Sequence, residues 1–278
     1  MNGSNPLPFE SDGLEPGGCV VGAFAVLHIP QAAFPALRKR PGPAVGKSLS
    51  SGLLRQADEQ SVAAAAAVFH AIHNFNLQDL SFADWGVVGV PCLLGRTAAA
   101  AVLDKYTRTG PRGVSPLVSP YLSLHAVSAL ISLALQAHGP NMGVGGGPGS
   151  VDEGLLAGLT MLLEPSTPGV WLALTAWDPE PAALDSDSAP AVCHAIALAL
   201  MPAADGLAGL RLRYVASAPG GDASLPNVTR LAQILDGLST VGKSGRWCCP
   251  IKGGGGAVEL TFTAGAPASQ LLLAEGPL

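Results

Sequence analysis

The sequence predicts an α/β layered fold, with a mixed, mostly parallel sheet covered by helices. Apolar runs of strand length alternate with segments of helical periodicity along most of the chain, which is the order typical of such folds. Hydrophobic residues make up 48% of the 278 residues and charged residues only 13%, so the chain can bury a sizeable core. Aromatic residues are only 5%, which favours close packing of helices on a sheet.

Seven apolar or alternating runs predict the strands, and five segments with apolar residues at three- and four-residue steps predict the helices. The strands are expected over residues 19–29, 84–90, 141–146, 169–177, 191–200, 210–217 and 253–264. The helices are expected over residues 50–75, 95–108, 119–140, 151–163 and 227–238. Pro120 suits the first turn of the third helix, and Gly139–Pro140 is expected to end it.

The chain is expected to fold as one domain over residues 18–264. Within this domain, residues 18–200 carry most of the predicted strands and helices, and residues 201–264 add a strand, a helix and a strand. The first 17 residues and residues 265–278 have the composition of flexible tails.

Charge and composition exclude several classes of function. The formal net charge is -5 and no basic stripe is present, so nucleic acid is not an expected partner. No apolar run reaches 18 residues, so no membrane span is predicted. The N-terminus has no basic start followed by an apolar stretch, and the five cysteines show no framework spacing. Both observations favour a reducing, cytoplasmic location.

Residues 138–163, "HGPNMGVGGGPGSVDEGLLAGLTMLL", are the most unusual part of the sequence. A phosphate loop of the Walker type requires Gly-Lys before Ser or Thr, and this stretch has no lysine. A dinucleotide fingerprint would place its third glycine where Pro148 stands. A hydrolase elbow, Gly-x-Ser-x-Gly, does not fit around Ser150 either. The crowded glycines therefore predict a tight turn into a helix without a nucleotide or hydrolase signature.

Ser150 and Glu153 have the spacing of a capping box. In this interpretation the Ser150 hydroxyl accepts a hydrogen bond from a free backbone N–H at the helix start. The Glu153 side chain in turn accepts one from the backbone N–H of Ser150. The alternative is that Ser150 is a nucleophile. Outside the glycine stretch, His70 and His73 are three residues apart on one predicted helix, but no cluster of carboxylates or cysteines accompanies them. We therefore expect neither a metal site nor a cofactor.

The order of these motifs resembles the condensing enzymes, the ketosynthases of the thiolase fold. "ALQAHGP" is similar to the family's helix end, "NMGVGGG" to its short strand and "SVDEGLLAGLTMLL" to its buried helix. "DWGVVGVPCLLG" and "PGVWLALTAWDP" resemble two further strands of the family. The resemblance covers residues 18–200 and matches best the stand-alone ketosynthase-like N-terminal domains. It implies the N-terminal half of a thiolase-like fold, in which residues 142–163 form an inner strand running into an enclosed helix.

The resemblance also implies that the family's catalytic cysteine falls at Pro148, between Gly147 and Gly149. No cysteine lies between Cys92 and Cys193. An acyl chain is held as a thioester in this family, so the covalent step cannot occur on a turn without sulfur. His125 stands where the family usually has an asparagine, and no histidine follows Leu200. The turn at residues 147–149 is therefore interpreted as vestigial, as in chain length factors.

The implied function is that of a non-catalytic ketosynthase-like subunit. It would partner an active ketosynthase, or a second copy of itself, in a bacterial polyketide, aryl-polyene or fatty-acid-like pathway, with an acyl carrier protein as a further partner. In the family, the strand before the turn lies at the dimer interface, which corresponds here to Met142, Val144 and Gly146. The alternative is an acyl transferase or hydrolase that uses Ser150 or His125.

Overall fold

The computed structural model describes residues 18–43, 49–115, 118–147, 149–181, 190–203, 210–216, 227–241, 244–252 and 256–262. Both predicted tails, residues 1–17 and 265–278, lie outside the described residues, as does Pro148. In the part of the chain that is described, no helix is long and apolar enough to cross a membrane.

One eight-stranded sheet organises the fold. Its strands are β1 (Gly18–Pro30), β2 (Gly86–Pro91), β3 (Asn141–Gly143), β4 (Val170–Asp178), β5 (Val192–Pro202), β6 (Leu210–Val215), β7 (Gly245–Pro250) and β8 (Ala257–Phe262). Their spatial order is β3-β2-β4-β5-β1-β6-β8-β7. The strands from the predicted addition, residues 201–264, therefore continue the same sheet.

The α/β layered fold and the mixed sheet are confirmed, but the expectation of a mostly parallel sheet is wrong. Of the seven strand pairs, only β2–β3 and β2–β4 are parallel. Parallel neighbours need a crossover connection, whereas antiparallel neighbours can follow each other directly along the chain. Strands β4 and β5 do so, as do β7 and β8, whose connection is short. The regular alternation of strands and helices holds only up to β4.

Helices cover both faces of the sheet. They are α1 (Phe34–Leu37), α2 (Ser51–Gln56), α3 (Glu59–Asn74), α4 (Arg96–Thr109), α5 (Val118–Tyr121), α6 (His125–Leu135), α7 (Val151–Met161) and α8 (Val228–Val241). The core on one face contains side chains of α3 and α6. The core on the opposite face contains side chains of α7 and α8.

Helix α3 shows why alanine is so common in this sequence. Its five consecutive alanines, Ala63 to Ala67, are fully buried, and the helix lies against β1, β4, β5 and α6. Alanine has the highest helix propensity, and its small side chain lets a helix approach its neighbours closely from every side. The side chain of Asp58 accepts a hydrogen bond from the backbone N–H of Gln60 at 2.8 Å and caps the helix start. This cap separates α3 from α2, so the single helix predicted over residues 50–75 forms as two.

The helix predicted over residues 119–140 also forms as two shorter helices, α5 and α6. Helix α6 ends at Leu135, and the left-handed φ of 55° at the C-cap residue Gln136 closes it before Gly139 and Pro140. As a result His125 lies at the start of α6 and not in the middle of a long helix.

Strand β3 occupies one edge of the sheet, which corrects the expectation that residues 142–163 begin as an inner strand. It pairs with β2 on one side, and no strand of the described chain pairs with its other side. Helix α7 buries the stripe that contains Val151, Leu155 and Leu159, but Glu153 and Thr160 are exposed, so α7 is not fully enclosed. An inner position for β3 would require a further strand on its outer side, beyond those of the described residues.

Candidate functional site

The glycine-rich turn lies at the carboxyl ends of the parallel strands β2, β3 and β4. The backbone N–H of Val144 donates to the carbonyl oxygen of Gly89 at 2.9 Å, which fixes the chain to β2 as it leaves β3. The N–H of Leu93 donates to the carbonyl oxygen of Gly146 at 3.1 Å, and Cys92 and Gly146 form a parallel bridge. Ligand sites of open α/β sheets form at this end of parallel strands.

Two glycines are required by the path of this turn. Gly145 has a φ of 81°, and a Cβ added there would lie 2.2 Å from the Cβ of Ser150. A Cβ added at Gly143 would lie 2.4 Å from the carbonyl carbon and oxygen of Leu124. Contacts this short do not occur between real atoms, so only glycine lets the turn pass the residues that immediately precede α6 and α7 at this distance.

Ser150 is buried and its hydroxyl is already engaged. Its Oγ donates to the carbonyl oxygen of Gly147 at 2.8 Å, and its side chain accepts no hydrogen bond from the start of α7. The predicted capping box with Glu153 is therefore wrong. Ser150 has a φ of -83° and a ψ of 4°, outside the extended conformation from which an N-cap side chain reaches the N2 or N3 amide. The hydroxyl instead closes the turn from within.

We expect Ser150→Ala to lower the free energy of unfolding by about 1 kcal/mol, because the variant loses one buried hydrogen bond and leaves the Gly147 carbonyl with one partner fewer. Chemical denaturation of the wild type and the variant measures this difference. A loss of acyl-transfer or hydrolytic turnover with no change in stability would contradict this structural role and favour the alternative in which Ser150 is the nucleophile.

His125 is exposed at the start of α6. Its Nδ1 lies 3.3 Å from the Oγ of Ser128, and the Ser128 hydroxyl also donates to the carbonyl oxygen of His125 at 3.1 Å. No hydrogen bond joins His125 to Ser150 in the described structure, since the hydroxyl of Ser150 is directed to Gly147. The structure therefore does not bring the two residues of the alternative enzyme hypothesis together as a nucleophile and its base.

The three predicted interface residues differ in their surroundings. Met142 has 44% of its surface exposed on the outer strand, and it is the only one of the three within β3. Val144 is half-buried and packs against the core that contains α7. Gly146 is occupied by its bridge to Cys92. Of these three residues, only Met142 thus presents a side chain at the outer edge of the sheet.

The asparagine at the start of β3 was not singled out in the sequence. The Nδ2 of Asn141 donates to the carbonyl oxygen of Ser128 at 3.3 Å and to the Oγ of Ser132. These bonds hold β3 against α6. Nothing in the local sequence reveals these bonds, because Asn141 lies on β3 and both serines lie on α6.

A buried polar network lies under the turn. The Nε2 of Gln60 donates to the carbonyl oxygen of Cys92 at 2.8 Å, and the Thr175 hydroxyl donates to the Oε1 of Gln60 at 3.0 Å. All three groups are buried, so the network connects α3, β4 and the end of β2 without exposure to water. It fixes the position of Cys92 next to the turn.

A second cluster was also missed in the sequence. His28 and His194 face each other on the neighbouring strands β1 and β5, with their Nδ1 atoms 2.7 Å apart. The Nε2 of His28 lies 2.8 Å from the Oδ2 of Asp236 on α8. These residues are up to 208 positions apart in the chain, so only the strand register brings them together. In the described part of the chain, no group of three or more metal-binding side chains could hold an ion.

Two solved structures are similar to this chain over nearly their full length. The ishigamide ketosynthase/chain length factor matches with a TM-score of 0.53 and 13% identity, covering 90% of this chain and 100% of the other. The chain has the fold of the ketosynthases and chain length factors. The complex of the ketosynthase ApeO with its chain length factor ApeC, from Xenorhabdus doucetiae, matches with a TM-score of 0.53 and 14% identity, covering 87% of this chain and 99% of the other.

The ketosynthase-like fold extends beyond the region that the sequence motifs indicated. Coverage of 90% of the chain is more than residues 18–200 alone could supply, so the similarity includes residues that follow Leu200. No family model and no curated protein sequence matches the chain. The similarity of this chain to the solved structures is therefore a similarity of fold.

Proposed function

We propose that this protein is a non-catalytic ketosynthase-like subunit that associates with an active ketosynthase or with a second copy of itself. The observation that carries the proposal is the turn between β3 and α7. It keeps the tight path from a short strand into a helix, while residues 93–192 contain no cysteine. A condensing enzyme needs an activated thiol at this point to hold the acyl chain.

The remaining side chains of the turn do not replace that thiol. The Ser150 hydroxyl donates to the Gly147 carbonyl, and His125 contacts Ser128. A serine nucleophile needs an adjacent base to take its proton, and none is among the hydrogen-bond partners of Ser150 in the described part of the chain. This geometry supports a subunit role over the acyl transferase or hydrolase alternative.

The outer edge of β3 is the surface that we propose for association. No strand of the described residues pairs with this edge, which carries the exposed side chain of Met142 in a strand otherwise formed by the small residue Gly143 and by Asn141. An open edge strand is a template for pairing with another chain. Pairing of two such strands would place β3 inside a continuous sheet, which is the position that the sequence motifs indicate.

The solved ApeO–ApeC structure is a complex of a ketosynthase with its chain length factor. For this chain we propose the same type of pairing, with an acyl carrier protein delivering substrates to the active partner, in a polyketide, aryl-polyene or fatty-acid-like pathway. The experiment is co-expression with the ketosynthase encoded nearest to this chain, followed by purification and a condensation assay. We expect a stable complex, or a homodimer, and no condensation by this chain alone. A strictly monomeric chain that binds no ketosynthase would overturn the proposal.

We expect Met142→Lys to weaken association at least 10-fold, because a lysine at the centre of the β3 edge brings an unpaired charge into the contact. Sedimentation velocity over a range of concentrations measures the dissociation constant. Leu80→Lys is the matched control, because Leu80 is also an exposed apolar side chain (53%) and lies outside β3. Equal association of both variants and the wild type would show that the interface lies elsewhere.

A further inference from the structure

The three strands β6, β8 and β7, at one end of the sheet, carry a charged face. Their charged residues are Arg211, Arg213, Arg246 and Glu259. The apolar residues that flank them on β6 and β8 belong to the core that contains α7 and α8, and Trp247 packs against that core. Because successive side chains of a strand point to opposite faces, the four charged side chains share the other face. We call this surface the arginine face; no residue of these strands belongs to the core that contains α3 and α6.

The start of β1 is aligned with the arginine face by strand pairing. Gly18 on β1 pairs with Arg213 on β6. Glu259 on β8 pairs with Arg213 on one side and with Cys248 on β7 on the other. A Cβ built on Gly18 would lie 3.6 Å from the Cβ of Arg213, so both residues direct their side-chain positions to the same face. The chain that precedes Gly18 therefore enters the sheet at the border of the arginine face.

The arginine face carries more positive charge than its own carboxylate neutralises. Glu259 is buried, and it pairs with the Nε of Arg213 at 2.6 Å and with the Nε of Arg246. Two guanidinium groups therefore share one carboxylate, and Arg211 adds a third positive charge to the same face. The side chains of Arg213 and Arg246 are still 51% and 54% exposed, and the terminal nitrogens of an arginine can donate further hydrogen bonds. A segment with several carboxylates fits this surface.

The segment that precedes Gly18 contains such carboxylates. Residues 1–17 include Glu10, Asp12 and Glu15, and they include no lysine or arginine. An extended chain reaches about 10 Å over three residues and about 20 Å over six, which are the separations of Glu15 and Asp12 from Gly18. The distance from β1 to β7 is three strand spacings, about 14 Å, so these carboxylates can reach every arginine of the face. The covalent link also raises their effective concentration above that of a separate acidic partner.

We propose that residues 10–15 dock on the arginine face, where their three carboxylates pair with the guanidinium groups of β6 and β7. Such pairs combine charge attraction with directional hydrogen bonds. The docked segment would cover Cys248, which lies at the β7 end of the row that begins at Gly18. The arginine face and β3 lie at opposite ends of the sheet. The contact is therefore separate from association through β3 and goes beyond the proposed subunit function.

Alkylation of Cys248 tests this docking in the full chain. Cys248 is half-buried and the other four cysteines are buried, so iodoacetamide labelling followed by peptide mapping reports how well the arginine face is covered. The test variant neutralises the segment by Glu10→Gln, Asp12→Asn and Glu15→Gln. We expect its Cys248 to react at least about 5-fold faster than that of the wild type, because three ion pairs that hold the segment are lost. High salt should accelerate the wild type in the same way, since it screens these pairs.

The matched control removes three carboxylates elsewhere. Its substitutions are Asp79→Asn, Glu153→Gln and Glu164→Gln, all at exposed positions. This control should keep the wild-type rate of Cys248 alkylation, which separates docking from a general change in net charge. Thermal denaturation verifies that both triple variants are folded.

A disulfide locates the segment directly. Ser11→Cys introduces a thiol between Glu10 and Asp12 and leaves all three carboxylates in place. Under diamide oxidation we expect this thiol to form a disulfide with Cys248, at a rate at least about 5-fold lower once the three carboxylates are neutralised. The proposal is overturned if neutralisation leaves the rate of disulfide formation unchanged. It is also overturned if Cys248 is alkylated equally fast in both proteins, which means an uncovered face, or equally slowly, which means that another segment such as residues 263–278 covers it.

Discussion

Replacing Gly143 by alanine is expected to lower the free energy of unfolding by about 2–3 kcal/mol, the cost of forcing a methyl group into a closely packed region. The added Cβ would lie 2.4 Å from the Leu124 carbonyl and 2.6 Å from the backbone nitrogen of His125. Both neighbours are backbone atoms, which cannot rotate away as a side chain can. Relief therefore requires β3 and the start of α6 to separate.

Urea denaturation followed by far-ultraviolet circular dichroism measures this change. Gly147→Ala is the matched control in the same turn, because, apart from its two chain neighbours, an added Cβ there meets no atom of the described residues within 4 Å. We expect the control to stay within about 0.5 kcal/mol of the wild type. If Gly143→Ala is as stable as the control, β3 and the start of α6 lie too far apart for the turn to require glycine at this position.

Removing the two arginines that surround Glu259 is expected to have the largest effect on stability. Glu259 is buried on β8, and its carboxylate pairs with the Nε of Arg213 at 2.6 Å and with the Nε of Arg246. The strands β6 and β7 on either side of β8 supply these arginines. A buried carboxylate that loses its partners costs about 3–5 kcal/mol, so we expect a loss of this size in the double variant Arg213→Ala, Arg246→Ala.

Arg108→Ala is the control for this prediction. Arg108 pairs with Asp104 on the exposed surface of α4, where an ion pair contributes less than about 1 kcal/mol. Adding Glu259→Leu to the double variant should recover part of the loss, because it removes the unpaired charge. Thermal and chemical denaturation of the wild type, Arg108→Ala, the double variant and the variant that adds Glu259→Leu distinguish these outcomes. A double variant as stable as Arg108→Ala would show that Glu259 is reached by water and does not depend on these arginines.

Local patterns in the sequence predict most elements of this fold but not their pairing. The apolar run at residues 19–29 and the alanine run within α3 each predict an element that is present. Whether two strands are parallel depends on the connection between them, and the segment between β4 and β5 carries no such signal. Strand β7 was missed because "GRWCCP" neither alternates clearly nor forms an apolar run.

The turn shows where sequence reasoning about the site succeeds and where it stops. The absence of a cysteine near Pro148 can be read directly, because it concerns residue identity at a position given by motif spacing. The direction of the Ser150 hydroxyl cannot be predicted in this way, since it depends on backbone angles that the preceding glycines impose. The contact between His28 and His194 joins residues 166 positions apart and depends on the β1–β5 register, which no local signal fixes.

The central claim is that the turn at residues 147–149 does not hold an acyl group. Its most direct test is peptide mapping of the chain after exposure to acyl thioesters, alone and with an active ketosynthase. The peptide that spans residues 142–163 is the one to measure. We expect this peptide to carry no acyl group under either condition, because its sole hydroxyl near the turn, that of Ser150, is buried and donates to the carbonyl oxygen of Gly147. A covalent acyl group on Ser150, or on any other residue of this peptide, would contradict it.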